Sequence, residues 1–194
     1  MPRYKGRMSP KAIERDFPHV VEIAVPPGGL NAPYGDIFSH LQQIDLRQSD
    51  IFTDLGCGLG RAVFAASWKG ARRSVGVEIV EDLCAQAARN HKQSRLAGRD
   101  IEFVCANAAH YNLSETTVLF MFHPFGEDTL RQVVENIERD RPKTKESLRI
   151  IYGNPIYDAV LERSGRFRCI GRIPPYRPWL SNSPHYETSL WRSI

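Results

Sequence analysis

Short apolar runs alternate with amphipathic stretches along most of the chain. The runs typical of strands are residues 19–25, 50–55, 73–79, 101–107, 117–122, 148–153, 167–173 and 186–193. The clearest helical pattern lies between residues 126 and 140, where Leu130, Val133, Val134 and Ile137 recur at i, i+3, i+4 and i+7. Strands that alternate with helices predict an α/β fold with a doubly wound, mostly parallel sheet. Because no helix separates the last two runs, we expect an antiparallel hairpin at the edge of the sheet.

The length and composition are those of one globular domain. The chain has 194 residues, of which 42% are hydrophobic and 25% charged. We predict an N-terminal extension at residues 1–30 and a seven-stranded domain at 31–194. No apolar run could span a bilayer and the polar start lacks the core of a secretion signal, which predicts a cytoplasmic protein without a membrane partner. The four cysteines lie far apart without CxxC spacing, so we expect no metal site and no disulfide.

Residues 52–66, FTDLGCGLGRAVFAA, place three glycines at alternate positions between a predicted strand and a predicted helix. The dinucleotide fingerprint Gly-x-Gly-x-x-Gly would need a glycine at position 61, which is Arg61, and the third glycine is Gly60 instead. Asp54 stands two residues before Gly56. Its charge would repel a pyrophosphate but attract the ammonium and sulfonium groups of S-adenosylmethionine (SAM). The loop therefore favours SAM over NAD.

Polar residues at the ends of the next two strands extend this site. Glu78 closes the second strand of the domain, where a carboxylate can accept hydrogen bonds from both ribose hydroxyls. Asn107 follows the third strand, from which its side-chain oxygen could reach the adenine amino group. Taken alone, Glu78 would be a solvated acid at a strand end and Asn107 a turn residue. Together with the glycine loop, they predict a nucleoside site. The predicted cofactor-binding residues of these segments are Asp54, Gly56, Cys57, Gly58, Gly60, Glu78, Ile79, Asn107, Ala108 and Phe122.

The motifs FTDLGCGLGR, VGVEI and VLFMFHPFG resemble those of class I SAM-dependent methyltransferases, which implies a Rossmann-like fold. With YGD at 34–36, their order and spacing are similar to the non-SET histone lysine methyltransferases and their prokaryotic relatives. The resemblance implies that Tyr34 helps to close the site over the methionine part of SAM. The paired asparagines that this family has before an aromatic residue are replaced here by Phe122, His123 and Pro124 before Phe125.

The segment FHPFG at 122–126 follows the fourth strand of the domain, at the edge where open α/β sheets bind ligands. We predict that His123 accepts a proton from the methyl acceptor or orients it, and that Phe125 offers a stacking face. The alternative is a strand-end histidine and a buried phenylalanine. In GNPIY at 153–157, Asn154 is expected to start a helix, and Tyr157 is a weaker candidate for the acceptor pocket.

The distribution of charge bears on the acceptor. Five basic residues stand against two acidic ones in residues 1–16, six arginines stand against two acids in residues 162–194, and the middle of the chain is net acidic. The sequence thus predicts a SAM-dependent methyltransferase that modifies nitrogen on a protein side chain or on RNA. RNA is suggested by the arginines and by Phe167, Tyr176, Trp179 and Trp191 near the carboxyl end. A non-catalytic SAM or nucleoside sensor is the alternative, because the paired asparagines are replaced.

Overall fold

The computed structural model of the protein describes residue 32 and residues 34–141, 146–174 and 187–194. Seven strands form one sheet in the order β3-β2-β1-β4-β5-β7-β6. The strands are β1 (Ile51–Leu55), β2 (Arg73–Glu78), β3 (Ile101–Cys105), β4 (Val118–Phe122), β5 (Arg149–Gly153), β6 (Phe167–Ile173) and β7 (Thr188–Ser193). The predicted extension at 1–30, and Tyr176 and Trp179 of the predicted RNA-binding tail, lie outside the described residues.

In the described ranges, five α-helices and one 3-10 helix connect or precede these strands. They are α1 (Tyr34–Gln43), α2 (Arg61–Lys69), α3 (Glu81–Gln93), α4 (Glu127–Asp140), α5 (Asp158–Arg163) and the 3-10 helix Ala108–His110. Helix α3 has two acidic residues in its first turn and His91 and Lys92 in its last, which suits the helix dipole. Helix α1 begins at Tyr34. None of the helices in the described ranges is long and apolar enough to cross a bilayer.

Strands β1 to β5 are parallel to one another, and β7 is antiparallel to both β5 and β6. The predicted doubly wound, mostly parallel sheet with an antiparallel hairpin at its edge is therefore confirmed. The carboxyl ends of the five parallel strands meet at one edge of the sheet, which is the edge where such folds bind ligands.

Apolar side chains cover both faces of the sheet. Helices α1 and α2 contribute Ile37, Leu41 and Phe64 to a first buried cluster. Helices α4 and α5 contribute to a second cluster, which contains Leu130 and Leu161. The helical periodicity predicted for residues 126–140 corresponds to the buried face of α4. The two clusters hold the parallel strands in register and so fix the positions of the loops at their carboxyl ends.

A buried ion pair lies at the opposite edge of the sheet. Arg149 and Asp50 are 4% and 1% exposed and form a direct ion pair. Arg149 also donates hydrogen bonds to the carbonyl oxygens of Ile44 and Asp45, at 2.9 and 2.8 Å. The Asp50 carboxylate accepts further hydrogen bonds from the Thr117 hydroxyl at 2.8 Å and from a backbone N–H. Every charge in this cluster has a partner, as buried charges require.

Candidate functional site

The glycine loop joins β1 to α2 and places three successive glycines in the left-handed region. The φ angles of Gly56, Gly58 and Gly60 are 75°, 52° and 85°. The backbone N–H groups of Gly56 and Cys57 both donate to the carbonyl oxygen of Val77, at 2.8 and 3.1 Å. A Cβ built on Gly58 would have no atom within 4 Å, so the loop leaves open space on this side. Gly58 therefore leaves room for a ligand to approach the backbone closely, whereas a Cβ built on Gly60 would lie 2.5 Å from the Phe103 ring.

The loop after β4 packs directly against the glycine loop. A Cβ added to Gly56 would lie 2.3 Å from the Cβ of Pro124, a distance that excludes any side chain at position 56. Glycine is thus required at this position both for its φ angle and for the close approach of the two loops. The predicted acceptor segment and the predicted cofactor segment consequently form one continuous surface.

Two carboxylates lie beside this surface on the same face of the sheet. Asp54 pairs in register with Gly76, and Glu78 is two residues further along β2, so both side chains point to the same side. Asp54 is 4% exposed, and no group in the described part of the chain donates a hydrogen bond to its carboxylate or forms an ion pair with it. Burial and the nearby charge of Glu78 raise the pKa of Asp54 well above its usual range. A positively charged ligand would offset both the cost of burying the Asp54 charge and its repulsion by Glu78.

Glu78 also holds the glycine loop in place. One of its carboxylate oxygens accepts a hydrogen bond from the N–H of Gly58 at 2.8 Å, and the other accepts one from Val80 at 3.0 Å. Each carboxylate oxygen can accept a second hydrogen bond. Glu78 can therefore support the loop and still receive hydroxyl groups of a ligand, a combination that its position in the sequence did not predict.

The residues expected at the nucleoside end lie at the carboxyl ends of β2 and β3. Ile79 has 67% of its surface exposed, although it is a large apolar residue next to the buried Glu78. The side-chain oxygen of Asn107 accepts a hydrogen bond from the N–H of Ala109 at 2.9 Å and caps the 3-10 helix that begins at Ala108. The turn-forming alternative for Asn107 thus describes one of its contacts, and its adenine contact stays a prediction.

Cys57 and Tyr34 are both buried beside the glycine loop. The sulfur of Cys57 would lie 2.7 Å from a Cβ built on Gly76, so this side chain packs beneath the loop. Burial is the main cause that raises the pKa of the Cys57 thiol and keeps it neutral. The Tyr34 ring lies 5.7 Å from the guanidinium carbon of Arg61, the first residue of α2. Tyr34 therefore lies beside the end of the glycine loop, and its closure over the methionine part of SAM stays a prediction.

The acceptor segment brings together His123 and Tyr157. Their ring centroids are 5.7 Å apart. His123 has a left-handed φ of 42° immediately before Pro124, which packs on the glycine loop. Phe125 is half-buried and packs against the second core cluster, and Phe122 packs against the first. The structure thus supports a packing role for Phe125, and its stacking role stays a prediction.

Two residues at this edge were missed as site residues by the sequence analysis. Arg61 was considered only because it breaks the dinucleotide fingerprint, whereas the structure places its positive charge at the end of the glycine loop. Asn154 was expected to start a helix, but α5 begins at Asp158 and its preceding residue is Tyr157. The expectation for Asn154 is therefore wrong. The available signal was its position at the end of a strand, the same signal that identified Glu78 and His123.

The family and the fold follow from comparisons with known proteins. The sequence model of the family described as "Histone methylation protein DOT1" matches residues 30–151. The chain belongs to this family. Membership of the DOT1 family confirms the resemblance indicated by the motifs around the glycine loop and β4.

One curated relative is a protein-lysine N-methyltransferase from Saccharolobus islandicus (strain REY15A). It is 35% identical over 83 residues, which are 42% of this chain and 51% of the relative. The chain thus spans about half the length of that curated relative.

Among solved structures, an RNA methyltransferase from Salinibacter ruber in complex with S-adenosyl-L-homocysteine has a TM-score of 0.61 at 19% identity. That likeness covers 84% of this chain and 92% of the other. The magnesium protoporphyrin IX methyltransferase from Synechocystis PCC 6803 with bound SAM has a TM-score of 0.63 at 12% identity, over 83% and 78% of the two chains. At these identities the likeness establishes the Rossmann-like fold alone.

Proposed function

We propose that this protein transfers the methyl group of SAM to an amine nitrogen on a protein side chain. The observation that carries the proposal is the pair of carboxylates, Asp54 and Glu78, beside a glycine loop with open space over Gly58. This arrangement suits a ligand that has both positive charge and ribose hydroxyls. SAM has both, and the two similar solved structures contain SAM or S-adenosyl-L-homocysteine.

In this proposal, the residues around the loop would contact the parts of SAM in order along the edge of the sheet. When bound, SAM supplies a methyl group on a positively charged sulfur. Asp54 would face the positive charges of the methionine end, and Arg61 would face its carboxylate. Glu78 would accept hydrogen bonds from the ribose hydroxyls while it holds Gly58. The exposed side chain of Ile79 would pack against the adenine ring, which is favourable because the contact removes apolar surface of both groups from water.

The acceptor would lie between the loop after β4 and the loop after β5. An amine is protonated at neutral pH, so it must lose a proton before its lone pair can attack the methyl group. His123 directly precedes Pro124, which contacts Gly56. We assign to His123 the acceptance of this proton and to the two loops the alignment of the amine.

Two observations favour a protein acceptor over RNA. The curated relative with 35% identity is a protein-lysine N-methyltransferase. In addition, Arg172 of the basic carboxyl-terminal region contacts both Asp158 and Glu187 at 2.6 Å. A guanidinium with two carboxylate partners is less available to phosphate groups, which weakens the case for an RNA-binding tail. The predicted cytoplasmic location suits either acceptor and stays a prediction.

Incorporation of labelled methyl groups from SAM into a cell lysate tests this proposal. The label should become resistant to nuclease and sensitive to protease, and amino-acid analysis should recover it as methyl-lysine. His123→Ala serves as the matched inactive variant. Label that only nuclease releases would instead indicate an RNA acceptor. SAM binding by calorimetry without any transfer would favour the non-catalytic sensor and contradict the proposal.

A further inference from the structure

The carboxyl end of β5 lies against the acceptor segment. Gly153, the last residue of β5, pairs in register with Phe122 at the end of β4. A Cβ added to Gly153 would lie 2.3 Å from the Phe122 ring, so the two strand ends are in close contact. The residues that follow this pair, Asn154 and His123, therefore leave the sheet side by side at the edge where the cofactor loop lies.

Both of these residues adopt a backbone conformation that side chains rarely take. The φ angles are 50° for Asn154 and 42° for His123, and Asp45 is the only other non-glycine residue with positive φ in the described ranges. Asparagine adopts this conformation more readily than most residues, but the conformation still costs free energy and persists only where the surrounding structure holds it. The conformation turns both chains out of the sheet at the proposed acceptor site.

The side chain of Asn154 has no internal role that explains its burial. Asn154 is 3% exposed, and its Oδ1 has no hydrogen-bond partner among the described residues. Its backbone groups are hydrogen-bonded: its N–H donates to the carbonyl oxygen of Glu187 at 2.8 Å, and its carbonyl oxygen accepts from the N–H of Ile156 at 2.9 Å. It does not cap helix α5, which begins four residues later. A buried amide oxygen without a partner is unfavourable and calls for an explanation.

A second buried polar atom without a partner lies at the same end of β5. Thr188 is fully buried and pairs in register with Gly153 across the β5–β7 ladder. Its hydroxyl has no hydrogen-bond partner within the described residues. Two such groups at the end of one strand pair, in the row that continues to Phe122, indicate that this region can receive a polar group that the described residues do not supply.

We propose that the side-chain amide of Asn154 binds the methyl acceptor, with Oδ1 accepting a hydrogen bond from the acceptor amine. This inference rests on the proposed function and names the residue that orients the amine beside His123. An oxygen acceptor on one side of the amine and a proton acceptor on another would fix the direction of its lone pair.

Variants that keep the backbone conformation isolate the amide. Asn154→Gly tolerates a positive φ and removes the amide, whereas Asn154→Asp keeps an oxygen in the same place. Asp45→Gly is the matched control, because Asp45 also has a positive φ, of 56°, but is exposed at the opposite edge of the sheet. The probe is a random lysine–alanine copolymer, methylated with tritiated SAM by the full-length protein.

We expect Asn154→Gly to lower kcat/KM for the copolymer by about 10- to 100-fold, a range typical of losing one positioned hydrogen bond. The Kd for S-adenosyl-L-homocysteine should stay within about twofold, Asn154→Asp should restore most of the transfer, and Asp45→Gly should match the wild type. A merely structural role would lower stability and cofactor binding in both Asn154 variants.

The outcomes separate this inference from the proposed function. Unchanged kcat/KM in Asn154→Gly, while the wild type methylates the copolymer, would overturn the role of Asn154 alone. Equal loss in the Gly and Asp variants, accompanied by equal loss of urea stability, would also overturn it. If the wild type methylates transcribed RNA but not the copolymer, the proposed amine acceptor is wrong and this inference fails with it.

Discussion

Replacement of Asp54 by asparagine should have opposite effects on stability and on cofactor binding. Asp54 and Asp50 are both nearly fully buried and lie four residues apart on the same stretch of chain. Asp50 has an ion-pair partner and several hydrogen bonds, whereas Asp54 has neither among the described residues. Asp54→Asn removes a carboxyl group whose charged form is disfavoured by burial and by Glu78, so the ligand-free protein should become more stable.

The magnitudes follow from this contrast. Single stabilising substitutions commonly raise the free energy of unfolding by about 0.5–2 kcal/mol, and we expect Asp54→Asn to fall in this range. Loss of a charge-assisted contact to SAM should weaken binding by about 1.5–3 kcal/mol, or roughly 10- to 150-fold in Kd. The control Asp50→Asn should instead lower the free energy of unfolding by about 3–5 kcal/mol, because it leaves Arg149 buried without its counter-charge.

Urea denaturation without ligand measures the stabilities, and calorimetric titration with SAM measures the affinities. The raised pKa of Asp54 means that its favourable contribution is present at low pH and lost as pH rises. The stability gain of Asp54→Asn should therefore grow from pH 4 to pH 7. A less stable Asp54→Asn variant, or one that binds SAM as tightly as the wild type, would refute the assignment of Asp54 as the site's attraction for a cation.

Three further predictions concern other parts of the molecule. Gly56→Ala should lower the free energy of unfolding by at least about 1–3 kcal/mol, because the φ of Gly56 is 75° and Pro124 occupies the space of the added methyl group. Gly98→Ala, which adds a methyl group in open space, should have little effect in the same urea assay. Burial lowers the pKa of His40 to about 4, so the free energy of unfolding should fall as pH drops below 6.5, by up to about 3 kcal/mol near pH 4. His40→Leu should reduce this dependence of stability on pH, and an unchanged dependence would assign it to other groups. His123→Ala should lower turnover about 100-fold while the Kd for SAM stays within a few-fold, and undiminished turnover would remove His123 from the chemistry.

The sequence predicted the elements that depend on local pattern. The alternation of apolar runs located the strands of the described region to within a few residues, and the periodicity of α4 matched its buried face. The departure from the dinucleotide fingerprint at Arg61 correctly separated this loop from NAD-binding loops. These features could be predicted because the hydrophobic period and the glycine spacing are properties of neighbouring residues.

The remaining features depend on contacts between distant segments. The approach of Pro124 to Gly56 joins residues far apart in the chain, and no local pattern encodes it. Asn154 was assigned to a helix start because Asn-Pro often precedes helices, whereas the pairing of Gly153 with Phe122 places it beside the acceptor segment. The double role of Glu78 likewise depends on where the glycine loop folds back.

The position of β7 between β5 and β6 has a consequence for the biosynthesis of the protein. Strand β6 precedes β7 in the chain, but it joins the sheet only by pairing with β7. While the chain emerges from the ribosome, β6 has no strand to pair with and the edge of β5 stays open until residues 188–193 are available. Trp191, which is 3% exposed in the finished fold, is then buried in one of the last steps. Nascent chains stalled before residue 188 should therefore expose a sheet edge that chaperones or other unfolded chains can bind.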